Sequence, residues 1–196
     1  MRKVITIMKR KKKIHLIWKI RGLALAAFAL GLTQNAAAQR VGLKTNALYW
    51  AAASPNIGME FRVNRHITFN FEGAYNRIDI SKINSKALVF NPEMRYWLSA
   101  RPQAGHFIGI AGVAADYDIT IKDKRHKGDA FGAGLTYGYS FVLSRHWSLE
   151  TTIGAGAVYR HEKSFAKGND EPTAANVKKW QAAPLKAGVT FVYIIK

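Results

Sequence analysis

The feature that most constrains this chain is an alternation of apolar and polar residues with a period of two, which begins after Gln39. It is clearest in three segments, 66–76, 88–98 and 147–159. In the first of them the apolar positions are Ile67, Phe69, Phe71, Gly73 and Tyr75. Because successive side chains of a β-strand point to opposite faces, this period predicts strands with one apolar and one polar face, and it argues against amphipathic helices.

Five further segments alternate less sharply, and together with the first three they predict eight strands. They span residues 41–51, 55–63, 106–118, 129–142 and 184–195. Most reach the length of about 9 to 11 residues that a tilted membrane strand requires. Short connections near 63–66, 99–105 and 142–146 alternate with connections near 52–54, 77–87, 119–128 and 160–183, of which three are long. This alternation is typical of outer-membrane barrels, which have short periplasmic turns and longer external loops.

The N-terminal segment reads as a secretory signal peptide. A basic stretch, Arg2 to Arg21, precedes the apolar run Leu23–Leu32, and Ala36 to Ala38 offer a small-residue cleavage site. A membrane anchor is the alternative, but ten apolar residues are about half of what a spanning helix needs. We therefore expect a helical signal peptide over residues 1–38, cleaved after Ala38, whether translation starts at Met1 or Met8, and a single domain over residues 39–196.

The net charge of +18 does not indicate a nucleic-acid partner. Nine of the thirty basic residues and none of the twelve acidic ones lie in residues 1–38, so the remainder has 21 basic and 12 acidic residues, or +9. A nucleic acid would also lie in the wrong compartment for an exported protein. We expect outer-membrane lipid as the main partner instead.

The orientation of the two faces separates a membrane barrel from a soluble one. The polar face carries charges of both signs near mid-strand, which a narrow eight-stranded barrel tolerates only when they are paired inside it. The predicted interior charge network comprises Lys44, Glu60, Arg62, Glu72, Glu93, Arg95 and Glu150.

Aromatic residues of the predicted apolar face lie near the strand ends, as they do at membrane interfaces. Those expected at the external side are Tyr49, Tyr75, Tyr117, Phe131 and Tyr159, and those at the periplasmic side are Tyr96, Phe107, Phe141, Trp147 and Tyr193. The sequence thus predicts an all-β, eight-stranded antiparallel up-and-down transmembrane barrel of the bacterial outer membrane. A soluble periplasmic lipocalin-like carrier is the alternative.

Searches for catalytic and metal-binding patterns yield little. Cysteine is absent, which excludes disulfides and thiolate chemistry, and the six histidines show no metal-binding spacing. His161, Glu162 and Ser164 are the only grouping that resembles an activated hydroxyl, but neighbouring residues of one segment seldom meet in the geometry that a nucleophile and its base require. We predict no enzyme activity, cofactor or metal; an outer-membrane lipid-modifying enzyme with His161 and Ser164 in its site is the alternative.

Basic residues in the predicted external loops form the candidate contact surface. They are suited to lipopolysaccharide phosphates or to an acidic partner. The residues are Lys122, Lys124, Arg125, Lys127, Lys178 and Lys179.

Several motifs of the mature chain resemble an uncharacterised family of small exported proteins from Bacteroides-type bacteria. The motifs are Lys44–Tyr49, Pro55–Phe61, Asn91–Trp97, Gly105–Gly109 and Gly132–Tyr139, in that order. Members of that family often accompany fimbria-related genes, so the resemblance implies an envelope location and a connection to fimbrial or other envelope proteins. It brings no known site residues. We expect a non-enzymatic envelope scaffold or a fimbria-related accessory protein whose external loops make its contacts.

Overall fold

A computed structural model describes residues 40–80, 83–99, 101, 103–121, 124–166, 172 and 174–195. The predicted signal peptide and Lys122 lie outside these residues. Within these residues, eight strands and one short helix follow one another. They are β1 Val41–Asn46, α1 Ala47–Ala51, β2 Asn56–Arg62, β3 Ile67–Ile80, β4 Ile83–Trp97, β5 Gly105–Ile121, β6 Lys124–Val142, β7 Trp147–Ala166 and β8 Val177–Ile195.

Each strand pairs antiparallel with its neighbour in sequence, and β1 also pairs with β8, so the strand order is that of a closed barrel. The prediction of eight antiparallel strands is confirmed. We call the end that carries the connections β2–β3, β4–β5 and β6–β7 the short-turn end, and the other the hairpin end. At the short-turn end two turns share one design, because Asn64 Oδ1 accepts hydrogen bonds from the amides of His66 and Ile67, while Ser144 Oγ accepts them from His146 and Trp147.

The strands run further toward the hairpin end than predicted. The expected loops 77–87, 119–128 and 160–183 are largely strand, since β3 and β4 pair as far as Ile80 and Ile83, and β5 and β6 as far as Ile121 and Lys124. Polar residues predominate in these segments, which therefore look like loops in sequence. Their backbones nonetheless continue the ladders between β3 and β4, β5 and β6, and β7 and β8.

The first predicted strand, 41–51, is wrong in its second half. β1 ends at Asn46, whose side chain accepts a hydrogen bond of 3.0 Å from the amide of Leu48 and so caps α1. Tyr49 consequently lies on this short helix and not at the end of a strand. Within the part of the chain that the structure describes, no helix has the length and apolar character needed to cross a membrane.

Apolar side chains cover the outer face of the closed sheet, and polar ones fill its interior. Leu135 and Ile153 on the outer face are 69% and 67% exposed, whereas Glu60 and Arg95 inside are 0% and 1% exposed. Phe69 and Tyr137 also face outward, and Glu72 and Glu93 face inward. This is the orientation that the alternation predicts when charges of both signs are enclosed.

Two aromatic residues predicted for the outer face point inward instead. The segment 106–118 has apolar residues at both parities, so its alternation does not settle which face they occupy. Phe107 pairs with Gly138, and its ring fills the space that a side chain at that glycine would need; it is fully buried. Tyr117 pairs with Gly128, and its hydroxyl group reaches Glu162.

A bulge in β8 lets two consecutive residues, Leu185 and Lys186, point inward. The register shifts there, since Lys186 pairs with Gly154 whereas Pro184 pairs with Ala155. The Leu185 side chain packs onto the facing pair Gly134 and Gly156, where a Cβ on either glycine would lie within 2.7 Å of Leu185 Cδ1. The two glycines therefore allow this bulged leucine to fill the interior.

Alanine at Gly134 should weaken the fold, because its Cβ would lie 2.2 Å from the carbonyl oxygen of Ala155 and 2.5 Å from the Cα of Gly156. We expect Gly134→Ala to lower the free energy of unfolding by about 1 to 3 kcal/mol. The measurement is the unfolding midpoint in guanidinium chloride, followed by tryptophan fluorescence. Gly73→Ala is the matched control, because nothing lies within 4 Å of a Cβ there. Equal losses in both variants would contradict the packing argument.

Candidate functional site

Arg95 lies at the centre of a buried ion-pair network in the half of the interior nearer the short-turn end. Its Nη1 is 3.0 Å from a carboxylate oxygen of Glu60 and 3.0 Å from one of Glu150, and its Nη2 is 2.9 Å from Glu93. All four side chains are at most 1% exposed. One guanidinium therefore joins carboxylates from β2, β4 and β7.

Two lysines complete the network on either side of Arg95. Lys44 of β1 contacts both Glu60 and Glu150, the latter at 2.6 Å. Lys186 of β8 lies 2.8 Å from Glu72 and 2.9 Å from Glu93. The network thus contains three cations and four carboxylates, and it ties together the strands at which the sheet closes.

Neutral side chains supply further hydrogen bonds to the carboxylates. The Thr68 hydroxyl group donates to Glu60 at 2.5 Å, and that of Thr136 donates to Glu93 at 2.6 Å. The Asn70 amide donates to Glu72 at 2.9 Å and to Glu93 at 3.1 Å. A buried charge is tolerated only when it is paired and hydrogen-bonded, and these donors add to the pairing of Glu60, Glu72 and Glu93.

Aromatic rings close the interior beneath the network. The Arg95 guanidinium lies 4.3 Å from the centroid of the Phe107 ring, a cation–π geometry, and the Phe107 and Trp97 rings are 4.8 Å apart. The indole of Trp97 donates a hydrogen bond of 2.9 Å to Thr68. With Trp97 and Phe107 both at 0% exposure, this part of the interior is filled by side chains.

The structure brings together six of the seven residues predicted for the interior charge network, and it leaves out Arg62. Arg62 lies at the last position of β2, where its Nε donates to the carbonyl oxygen of Asn64 at 3.3 Å. The alternation along β2 assigns Arg62 to the inward face, as predicted, but the strand ends at this residue. Lys186 was missed, although it shares the parity of the inward residues Thr190 and Val192, because the predicted strand 184–195 placed it near a strand end.

A second polar cluster lies inside the hairpin end. The carboxylate of Glu162, 2% exposed, accepts hydrogen bonds of 2.5 Å from both Tyr117 and Arg160 and lies 3.2 Å from His126 Nδ1. Arg160 also reaches Gln181 at 3.4 Å. The carboxylate of Glu162 therefore contacts side chains of three strands, β5, β6 and β7, much as Arg95 joins several strands in the first network.

The two residues of the alternative enzyme site do not meet. His161 faces outward, 3.3 Å from Asp129, whereas Ser164 lies at an inward position of β7 and its backbone bonds Asn176. An odd separation along a strand places two side chains on opposite faces, so these residues form no nucleophile–base pair. Among the described residues, no group of three His, Asp or Glu side chains is arranged to hold a metal ion.

Five of the six basic residues predicted to share one external contact loop lie on strands and are divided between the two faces; the sixth, Lys122, lies outside the described residues. Lys124 and Lys179 occupy inward positions, and Arg125, Lys127 and Lys178 occupy outward ones. In the sequence they resemble one surface because a loop has no alternating faces. Arg125 makes a two-point contact with the Asp118 carboxylate, at 2.8 and 2.5 Å.

Comparison with known proteins gives one family. Residues 23–195 match a model described as "Protein of unknown function (DUF3575)". No curated protein matches the chain. The resemblance to an uncharacterised family agrees with this match, while the Bacteroides-type origin and the fimbrial connection remain predictions.

Replacing Arg95 by methionine should strongly destabilise the protein, because Glu60, Glu93 and Glu150 would lose a shared cation inside the sheet. Removal of one partner of a buried ion pair costs about 3 to 5 kcal/mol. The measurement is the free energy of unfolding from a guanidinium titration.

Arg62→Met is the matched control, since it removes the same group from the same face at a strand end. We expect a change within about 0.5 kcal/mol for the control. A similar loss in both variants would mean that Arg95 has no special structural role.

Proposed function

We propose that this chain, which belongs to the DUF3575 family of proteins of unknown function, is a non-enzymatic transmembrane β-barrel of the bacterial outer membrane. It serves as an envelope scaffold or as an accessory to surface structures such as fimbriae. Its hairpin end, and not a set of loops, is the contact surface for lipid and for envelope proteins. The N-terminal residues 1–38 are its signal peptide.

The observation that carries this proposal is the inversion of the usual arrangement of a soluble protein. Large apolar side chains are exposed on all of the longer strands, from Phe69 on β3 to Phe191 on β8, while seven charged groups are buried in the interior network. Exposed apolar patches of soluble monomers rarely exceed a few hundred Å². Surrounded by lipid, the same outer face is favourable, and pairing of β1 with β8 over Thr190–Ile195 closes the ladder of backbone hydrogen bonds there.

Aromatic residues flank the apolar outer face at both ends and support the same proposal. Tyr96, Trp147 and Tyr193 lie toward the short-turn end, and Phe131, Tyr159 and Trp180 lie toward the hairpin end. Amphipathic rings are enriched at the two interfaces of a bilayer. The apolar surface between them includes Leu135 and Ile153, both about two-thirds exposed.

The filled interior argues against a soluble carrier. A lipocalin-like protein needs an apolar chamber for its ligand, whereas here the equivalent space holds Arg95, Lys44 and Lys186 with their carboxylates. The separation of His161 from Ser164 likewise removes the best candidates for a lipid-modifying enzyme.

A charge on the outer face should distinguish lipid from water around the barrel. In a bilayer, arginine at the midplane of a barrel costs about 2 to 4 kcal/mol, and near the interface about 0 to 1 kcal/mol. We therefore expect Leu135→Arg to lower the free energy of unfolding in phospholipid vesicles by the larger amount. The control Val63→Arg, in a short turn, should show the smaller one. If Leu135→Arg folds as well as the wild type, the outer face does not meet lipid.

Fractionation of the source bacterium tests location and class together. We expect the protein in the outer membrane, with a heat-modifiable mobility in detergent gels, because a closed sheet resists detergent until it is boiled. Deletion should leave lipid A unchanged and alter the envelope or fimbriae. A soluble species whose mobility boiling does not change would refute the membrane location, and loss of a lipid A modification would favour the enzyme instead.

A further inference from the structure

We propose that the outer wall of the hairpin end, on β5 to β8 with the neighbouring part of β4, binds the phosphorylated sugar headgroup of an outer-membrane glycolipid. This inference rests on the proposed membrane location and deepens it. Charged outward side chains of these strands, among them Asp116, Lys127 and Lys163, line a cavity of about 700 Å³. An outward row of aromatic residues lies next to them along the strands.

The aromatic row lies closest to the middle of the apolar face. Phe131, Tyr159 and Trp180 are cross-strand neighbours on β6, β7 and β8, with ring centroids 5.3 to 6.0 Å apart. Trp180 is 61% exposed and Phe131 50%. Rings in this arrangement cover the first part of an acyl chain and mark the depth at which the headgroup begins.

The outward row two residues further along each strand, called the acidic row here, carries an acid on β5 and on β6, and His161 and Lys178 on β7 and β8. Asp116 and Asp129 are direct cross-strand partners on the outer face, and Asp129 lies 3.3 Å from His161. Like charges placed opposite each other destabilise a sheet, so this pair does not serve the fold. Carboxylates accept hydrogen bonds from hydroxyl groups, and a sugar presents several of them at this depth.

A basic row follows after two more residues. Lys86, Asp118, Lys127 and Lys163 are successive cross-strand partners, and Lys178 adjoins them from the acidic row. Asp118 of this row makes a bidentate contact with Arg125. Lys127 and Lys163 are direct cross-strand partners, so the row presents two ammonium groups side by side on the outer face. Lysine ammonium groups are strong donors to phosphate oxygens.

The depth of the rows favours a lipid over a free anion. Two residues of strand correspond to about 6.6 Å, so the acidic row lies one such step and the basic row two steps beyond the aromatic rings. A molecule anchored by acyl chains presents its sugar and then its phosphates at these levels. The cavity volume falls within the usual range for binding sites of about 300 to 1,000 Å³.

Two neighbouring lysines that point to the inner face provide a matched control. Lys124 and Lys179 lie at the same end of β6 and β8 but point inward, away from the lipid. The test variant carries Lys86→Ala, Lys127→Ala and Lys163→Ala, and the control variant carries Lys124→Ala and Lys179→Ala. Both use the full chain folded in detergent, and heat-modifiable mobility confirms that each variant has folded.

The measurement is the Kd for bis-phosphorylated lipid A by native mass spectrometry, with dephosphorylated lipid A, phosphatidylglycerol and inorganic phosphate as comparisons. We expect the test variant to bind lipid A at least about tenfold more weakly than the wild type, and the control variant to bind as the wild type does. Dephosphorylated lipid A and phosphatidylglycerol should each bind more weakly than lipid A. Asp116→Asn should reduce the ratio of the Kd for phosphatidylglycerol to the Kd for lipid A.

Three outcomes would overturn the inference. Equal weakening in the test and control variants would mean that only net charge matters. Competition by inorganic phosphate at equal concentration would assign the site to a free anion, and unchanged binding in the test variant would remove the lysines from it. In each case heat-modifiable protein in the outer membrane leaves the proposed function standing, whereas wild-type protein that never enters a membrane refutes both.

Discussion

The structure depends on one requirement, the pairing of charges that have been removed from water. Arg95 meets three carboxylates within a sheet that has closed around it, and Lys44 and Lys186 supply the remaining positive charge. These side chains come from strands at both ends of the chain. Because the side chains of each strand alternate, the outer face around this network is apolar, as at Phe69, Leu135 and Ile153.

Close packing against glycines, which have no side chain, supports this charged interior. Phe107 occupies the space over Gly138, and Leu185 that over Gly134 and Gly156, so the space around the ions is filled by rings and methyl groups. The bulge in β8 belongs to the same design, since it turns Leu185 and Lys186 inward together. An interior of this kind restrains motion along the barrel axis and suits a rigid support for whatever binds at its hairpin end.

Much of this was predictable from the sequence, and the failures have physical causes. The strands and six network residues follow from a period of two with charges on one parity, as in Glu72 and Glu93. Phe107 was placed on the wrong face because its strand is apolar at both parities, and only pairing with Gly138 decides the matter. Lys124 and Lys127 were grouped because polar segments read as loops, whereas a continued ladder puts them on opposite faces. The inward position of Lys186 could not be predicted because it depends on how far β8 extends, and local composition predicts strand length poorly.

The position of Lys186 on the final strand has a consequence for biogenesis. Glu72 and Glu93 are translated long before it, and their shared cation arrives only when β8 takes its place between β7 and β1. Without β8 the interior network would hold four carboxylates but only two cations, Lys44 and Arg95. The pairing of β8 with β7 and β1 therefore also supplies the third cation.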